Sequence, residues 1–165
     1  MTVLELNYPS NEFPAEPRVS LRVPENWTAV STPRTTLAAT APEVEGFRPN
    51  VVVVISRRAP GMVPGVALDE LAVEAQQRPA GALSDPFTVE LNGREWDGCD
   101  LSWHEPEVGR IIQMHLLSVA EAPIESALPF LVQVTGSCLV AREEQDVPRL
   151  RDVMSSIVVT PWAAV

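Results

Sequence analysis

Polar and apolar positions alternate over much of the chain with the period of two that indicates half-buried β-strands. The pattern predicts a strand at residues 19–23, a short strand at 36–40, and a third strand at Asn50–Arg57 between Pro49 and Pro60. The third run is mostly apolar and rich in β-branched residues, which is typical of a strand with both faces buried. We therefore expect Asn50–Arg57 in the interior of a sheet.

Two segments have the period of an amphipathic helix. In residues 67–78 the apolar positions fall on one helical face: Leu68, Leu71, Ala72 and Ala75. Near the end of the chain a second set has the same kind of spacing: Val147, Leu150, Met154 and Ile157. The pattern predicts one helix at 67–78 and a closing helix at 146–157, with Asp146 as the N-cap of the closing helix.

Between the two predicted helices, four strand-like runs joined by short turns over residues 87–140 predict an antiparallel meander. The order β-β-β-α-β-β-β-β-α predicts an α+β fold, in which helices pack on the faces of a single antiparallel sheet of about six or seven strands. Residues 1–18 contain three prolines and predict an extended N-terminal arm with an edge strand at 3–6. Residues 19–165 are predicted to form a single domain.

The net charge of -10 argues against a nucleic-acid partner, because affinity for phosphates comes from a basic patch. No apolar stretch reaches the roughly 20 residues that span a bilayer. The first positive side chain is Arg18, so the start lacks the layout of a signal peptide. We expect a cytoplasmic protein, with an envelope location left open if a leader has been removed. Cys99 and Cys138 fit no metal spacing and predict buried free thiols, with a disulfide as the alternative if the protein is exported.

The predicted hairpin over residues 95–119 contains the groups of a nucleophilic hydrolase. With a four-residue loop, Asp100 pairs with His115, and Ser102 lies on the same face within side-chain reach. Ser102 lies in mid-strand without the glycine-rich turn that exposes a nucleophile, so the trio also fits a solvated cross-strand pair. We expect no catalytic residue, and we keep Asp100, Ser102 and His115 as the candidates if there is one.

A metal site could draw on the same hairpin, through Asp97, Asp100, His104 and His115. Asp97 is predicted on the opposite face from Asp100, and neither an HxH nor an HExxH spacing is present. The sequence therefore predicts no metal ion and no cofactor.

Two tryptophans and a methionine are the candidates for a partner-binding surface. Trp96 is predicted on the polar face of its strand, Trp162 follows the closing helix, and Met62 lies in a proline-rich loop. Exposed tryptophans are enriched at protein interfaces, although an aromatic side chain packed beside a helix is an alternative. These residues indicate a protein partner, and we expect neither nucleic acid nor a membrane span.

Three stretches of the chain resemble the Mog1/PsbP-like fold and, within it, the actinobacterial LpqN/LpqT family. They are SLRVPENWTAV, FRPNVVVVISRR and GSCLVAREEQDVPRLRDVMSSI. The resemblance extends over about residues 19–162 and implies an α-β-α sandwich in a protein from an actinobacterium. It transfers no catalytic residue. Related members of the superfamily act by binding: the photosystem protein PsbP, the Ran-binding Mog1 and secretion chaperones of the DcrB-like branch.

Three functions follow as hypotheses. The first is a non-enzymatic protein-binding module, an adaptor or chaperone associated with secretion or the envelope, which the resemblance favours. The second is a small hydrolase that uses Asp100, Ser102 and His115. The third is a structural subunit that forms a homodimer through a sheet edge or the N-terminal arm.

Overall fold

The structure, a computed structural model, describes residues 1–59 and 64–163. Two α-helices and ten strands make up the regular structure of these residues, together with one turn of 3₁₀-helix at Val140–Arg142. The helices are α1 (Pro64–Gln77) and α2 (Glu143–Ser155). The strands are β1 (Arg18–Ser20), β2 (Thr28–Ala29), β3 (Leu37–Thr40), β4 (Asn50–Arg57), β5 (Ala82–Leu83), β6 (Phe87–Leu91), β7 (Arg94–Glu105), β8 (Gly109–Ala120), β9 (Phe130–Leu139) and β10 (Val158–Thr160).

Eight of the strands form one antiparallel sheet in the order β2-β3-β4-β9-β8-β7-β5, with β6 paired to β7 beside β5. The strands β1 and β10 form a separate two-stranded antiparallel ladder. The predicted α+β fold with one large antiparallel sheet is confirmed, and the sheet has eight strands instead of six or seven. Strand β4 spans the predicted residues and lies in the interior of the sheet, between β3 and β9.

The two helices cover opposite faces of the sheet. Successive residues of a strand point to opposite faces, and on β8 Leu116 packs in the cluster that contains α2 residues whereas Leu117 packs with α1 residues. Helix α2 lies over β9 and β4, and α1 lies over β7, β5 and β8. We call these two sides the α2 face and the α1 face. The arrangement is the α-β-α sandwich that the resemblance implied.

Each helix is held by its apolar stripe. Leu150 and Met154 of α2 belong to the same core cluster as Val132 of β9, and Leu71 of α1 packs with Leu117 of β8. Burying one such side chain stabilises the folded state by roughly 1.5–3 kcal/mol. The stripes that predicted the helices are therefore the surfaces that attach them to the sheet.

Both predicted helices are present, but both begin earlier than their patterns indicated, α1 at Pro64 and α2 at Glu143. The prediction that Asp146 caps α2 is wrong, because Arg142 occupies the N-cap position and makes no side-chain cap bond. Asp146 instead lies in the first turn, buried, and accepts a hydrogen bond from Arg142 Nε at 3.1 Å. A carboxylate at this end of a helix also interacts favourably with the helix dipole.

The edge strand predicted at residues 3–6 is wrong: residues 1–17 contain no strand, and Val3, Leu4 and Leu6 are exposed. The arm contacts the sheet further along, where Arg57 Nη2 donates to the carbonyl of Pro14 at 3.1 Å. Strands β2, β5 and β10 were not predicted, because two or three residues are too short to display a period.

Candidate functional site

The β7–β8 hairpin places the candidate triad differently from the sequence prediction. Its loop has three residues instead of four, since Glu105 pairs with Gly109, whose φ of +94° favours glycine. The shift of one residue pairs His115 with Cys99. Because such a shift moves a side chain to the other face of the sheet, the predicted pairing of Asp100 with His115 is wrong.

Asp100 and Ser102 lie on the α2 face, and each has a partner of its own. Arg151 Nη2 of α2 donates to Asp100 Oδ2 at 2.9 Å, and Arg110 Nη2 donates to Ser102 Oγ at 2.8 Å. His115 lies on the opposite face of the sheet. The structure therefore does not bring together the hydroxyl and the base that nucleophilic catalysis requires.

His115 is almost completely buried on the α1 face, with 3% of its surface exposed. Its Nδ1 lies 3.1 Å from Gln133 Nε2 and 3.5 Å from Thr135 Oγ1. Its Nε2 is buried and has no hydrogen-bond partner among the described residues. Burial lowers the pKa of His115 to about 4, although the Glu74 carboxylate of α1 acts in the opposite direction. The imidazole is therefore neutral at neutral pH.

The candidate metal ligands are dispersed as well. Asp97 lies on the α1 face and accepts a hydrogen bond from Thr88 Oγ1 at 3.1 Å. His104 is exposed on the same face of β7 as Asp100, but four residues further along the strand. Within residues 1–59 and 64–163, no group of three or more His, Cys, Asp or Glu side chains could hold a metal ion.

The two cysteines are buried free thiols, as predicted. Cys99 packs in a cluster of the α1 face and Cys138 in the core of the α2 face. Burial raises the pKa of Cys99 to about 11 and that of Cys138 to about 12. Because the thiolate is the reactive form, both side chains act as packing residues.

The tryptophan prediction fails at Trp96, which is 1% exposed and belongs to the core of the α2 face. Its cross-strand partner on that face is Val89 of β6. Trp162 is half-buried just after β10, and its role in partner binding stays a prediction. Met62 lies outside the described residues.

An apolar groove of about 360 Å³ lies on the α2 face, between β6 and the end of α2. It forms because α2 packs on β9 and β4, which leaves the β6–β8 part of this face beside the helix instead of beneath it. Six apolar side chains form its wall: Phe87, Val89, Leu91, Met114, Leu116 and Met154. Arg151, Ser155 and Thr88 complete the lining.

Gly98 of β7 provides part of the space. A Cβ atom at this position would lie 2.5 Å from Phe87 Cζ, so the Phe87 ring lies directly over the glycine. Phe87 is nevertheless 36% exposed. Exposed aromatic side chains grouped with other apolar residues mark interaction surfaces, and the groove is therefore the best candidate for a binding site.

The side chains that line the groove are suited to binding. Its one charged side chain is Arg151, which is already paired with Asp100 at 2.9 Å. The described lining contains no carboxylate, imidazole or thiol to act as a general base or nucleophile. The groove can therefore take up apolar groups, with the hydroxyl of Ser155 at its polar end.

A second pocket, of about 310 Å³, lies where α2 begins. Trp27 and Pro49 contribute to its lining, and so do Arg142 and the buried Asp146, which pair at 3.1 Å. Arg149 lines it too and is exposed. The lining of this pocket is more polar than that of the groove, so the pocket presents less apolar surface to a partner. The buried carboxylate of Asp146 is already paired with Arg142.

The groove was not predicted from the sequence. The alternation in FTVEL places Phe87, Val89 and Leu91 on one face of β6, which is consistent both with an internal strand and with a groove wall. Gly98 is the residue that could have indicated the groove, because a glycine inside a strand often marks the close approach of another group.

No protein-family model matches the chain, and no curated protein is similar enough in sequence to count as a relative. Solved structures do match. LpqN of Mycobacterium tuberculosis, described as involved in cell envelope biogenesis, is 17% identical with a TM-score of 0.71 over 90% of this chain and 86% of its own.

Two further structures have the same architecture. The cyanobacterial PsbP of Synechocystis is 12% identical with a TM-score of 0.58, covering 95% of this chain and 98% of its own. PA94 of Pseudomonas aeruginosa, a protein of unknown function, is 12% identical with a TM-score of 0.52, covering 94% and 89%. The resemblance to the Mog1/PsbP-like fold and to LpqN is confirmed, and at these identities it establishes the fold.

No helix in the described part of the chain is long and apolar enough to cross a membrane. The likeness to LpqN, an envelope-biogenesis protein, gives the predicted cytoplasmic location no support.

Proposed function

We propose that this chain is a non-enzymatic binding module that holds an apolar segment of a partner protein in the groove between β6 and α2. The observation that carries the proposal is Phe87, exposed over Gly98 and adjoined by five further apolar side chains of the groove wall. Each Å² of apolar surface removed from water is favourable by about 25 cal/mol, before the entropic cost of association is subtracted. A partner side chain that fills the groove therefore gains affinity without any catalytic group.

The separation of Asp100 and Ser102 from His115 supports a binding role over the hydrolase hypothesis. The likeness to LpqN supports an adaptor or chaperone that serves the cell envelope, and it directs the search for the partner to envelope proteins. The net charge of -10 favours a partner segment that carries basic residues near its apolar ones.

A variant that fills the groove tests the proposal. Ser155 is exposed, lies at the last residue of α2 and lines the groove, so Ser155→Trp occupies the groove without removing a core side chain. Gln145→Trp is the matched control, because Gln145 is an exposed residue of the same helix outside the groove lining. Peptides selected from a random linear library on the unmodified protein are then measured on both variants by fluorescence anisotropy.

We expect Ser155→Trp to weaken the selected peptides by about tenfold or more and Gln145→Trp to leave their affinity unchanged. A photo-crosslinking residue in place of Phe87 should label the bound peptide, whereas the same residue in place of Val73, which is exposed on α1, should not. Equal affinities in the two tryptophan variants would show that the groove is not the binding site.

A further inference from the structure

The strand β6 forms an open edge of the large sheet. It pairs with β7 on one side, and no other described strand pairs with it. Its sequence, FTVEL, contains neither the lysine nor the proline with which proteins often protect an edge. Thr88 and Glu90 are both exposed. An edge of this kind is a template for a further strand.

The free backbone groups of this edge can be assigned from the register. Asn92 and Gly93 form a two-residue turn with positive φ, so Leu91 and Arg94 flank it as a hydrogen-bonded pair. Hydrogen-bonded and non-hydrogen-bonded pairs alternate along an antiparallel ladder. The N–H and C=O groups of Thr88 and Glu90 therefore point away from β7, and no described group bonds to them.

The side chains on the two faces of β6 differ in kind. On the α2 face, Phe87, Val89 and Leu91 form one wall of the groove. On the α1 face, Glu90 stands directly opposite Glu95 of β7, and Asp97 follows two residues further on.

Among the described residues, these three carboxylates have no cationic partner. No arginine or histidine of the described residues lies within 4.0 Å of Glu90, Glu95 or Asp97. Like charges directly opposite each other in a sheet are destabilising. A cation on the neighbouring edge position would relieve the repulsion between Glu90 and Glu95.

We infer that β6 accepts an extended partner segment in which apolar and basic residues alternate, added as a strand to the open edge of the sheet. The inference rests on the proposed binding function and names its partner. Main-chain hydrogen bonds to Thr88 and Glu90 give such an addition affinity, and alternate side chains give it specificity. The apolar side chains of the segment lie on the α2 face beside Phe87 at the rim of the groove, and its basic side chains lie on the α1 face beside Glu90.

Charge disfavours a second copy of this chain as the occupant. A second β6 would also present apolar side chains to the groove, but it would place its own Glu90 beside the carboxylates already on the α1 face. The added repulsion opposes a homodimer through this edge. A partner with arginine or lysine at those positions removes the repulsion.

Three synthetic peptides of about ten residues test the pattern of the partner. One alternates valine and arginine, one alternates valine and glutamate, and one has the composition of the first with its valines and arginines in two blocks. We expect the alternating valine-arginine peptide to bind about tenfold or more tightly than either of the others, by fluorescence anisotropy at near-physiological salt. Equal binding of the alternating and the block peptide would overturn the inference.

Two changes test the main-chain contacts. Thr88→Pro removes an outward N–H at a position where an edge strand tolerates proline, and Thr88→Val, which removes only the hydroxyl, is its control. We expect Thr88→Pro to weaken the alternating peptide by about tenfold and Thr88→Val to bind it like the unmodified protein. A copy of the peptide N-methylated at alternate residues should lose affinity on the unmodified protein, which does not depend on the fold of any variant.

The outcomes separate this inference from the proposed function. If peptides lose affinity in Ser155→Trp but not in Thr88→Pro, the groove binds its partner and strand addition is wrong. If neither substitution changes the affinity of any peptide, both the strand addition and the proposed binding function are wrong. Light scattering that shows a dimer of the unmodified protein and a monomer of Thr88→Pro assigns the edge to a second copy and overturns the inference.

Discussion

The two faces of the sheet differ in the side chains at their centre, which are polar on the α1 face and apolar on the α2 face. On the α1 face, Gln113 donates to Ser137 at 3.1 Å, and Gln133 and Thr135 contact His115, so a row of polar side chains crosses the middle of the sheet. On the α2 face the corresponding positions carry apolar side chains that form the largest core cluster. This apolar surface continues beyond α2 into the groove.

The comparison shows that the position of the covering helix decides which surface is available. Helix α1 lies over β7, β5 and β8, toward the open edge, whereas α2 lies over β9 and β4, away from it. The α1 face satisfies most of its buried polar groups internally. The α2 face has more apolar surface than its helix can cover, and it leaves this surplus at the edge where β6 is open.

The largest loss of stability is expected from a substitution in the core of the α2 face. Trp96→Ala should lower the free energy of unfolding by about 3–5 kcal/mol, because it removes a large side chain that is 1% exposed. Trp162→Ala, at a half-buried position, is the control and should cost less than half as much. Denaturant unfolding of both variants measures the difference, and similar losses would contradict the assignment of Trp96 to the core.

The α1 face should be the pH-sensitive one. The pKa of His115 is about 4 in the folded protein and about 6.5 in the unfolded chain. Since the unfolded state binds the proton first, stability from the neutral imidazole is fully present above pH 6.5 and is lost as the pH falls toward 4, by roughly 3 kcal/mol.

Unfolding of the unmodified protein and of His115→Gln over that pH range checks this expectation. The stability difference between the two should change between pH 6.5 and 4 and be constant above pH 7. Parallel pH profiles would show that His115 does not titrate with a lowered pKa.

A substitution at Gly98 tests how the groove is built. Gly98→Ala places a Cβ atom against the Phe87 ring and 3.0 Å from the carbonyl oxygen of His115, and it should cost about 1–3 kcal/mol. In Phe87→Ala the ring is absent, so the same glycine substitution should cost less there. A double-mutant cycle measures the coupling, and additive losses would mean that the ring does not pack on Gly98.

The smallest effect is expected at the charged end of the groove. The side chains of Arg151 and Asp100 are 47% and 21% exposed, and exposed ion pairs contribute about 0.2–1 kcal/mol. A double-mutant cycle with Arg151→Ala and Asp100→Asn should give a coupling in that range that shrinks as salt is added. A larger, salt-independent coupling would place this pair among the buried interactions.

Much of the fold could be predicted from the sequence because local patterns carry it. The apolar run Asn50–Arg57 is observed as β4 with the predicted bounds, and the apolar stripes of both helices face the sheet. The register of β7 and β8 could not be predicted, because both faces carry buried apolar side chains there. With Leu116 and Leu117 each buried on a different face, apolar alternation does not distinguish one register from the next.

The candidate site could not be predicted from the sequence for a related reason. The triad hypothesis depended on the register, and a loop shorter by one residue separates Asp100 from His115. The groove depends on where α2 lies relative to β6, a long-range arrangement that no local pattern encodes. The glycine at position 98 was the only residue whose type pointed to it.

The small β1–β10 ladder has a mechanical consequence. Arg18 pairs with Thr160, so the outer ends of the two strands lie side by side. Tension applied along the chain on either side of the ladder loads its hydrogen-bonded pairs one after another, as in opening a zipper, and not all together in shear. A molecule held under force would therefore release β1 and β10 first, while the eight-stranded sheet and its groove stay folded.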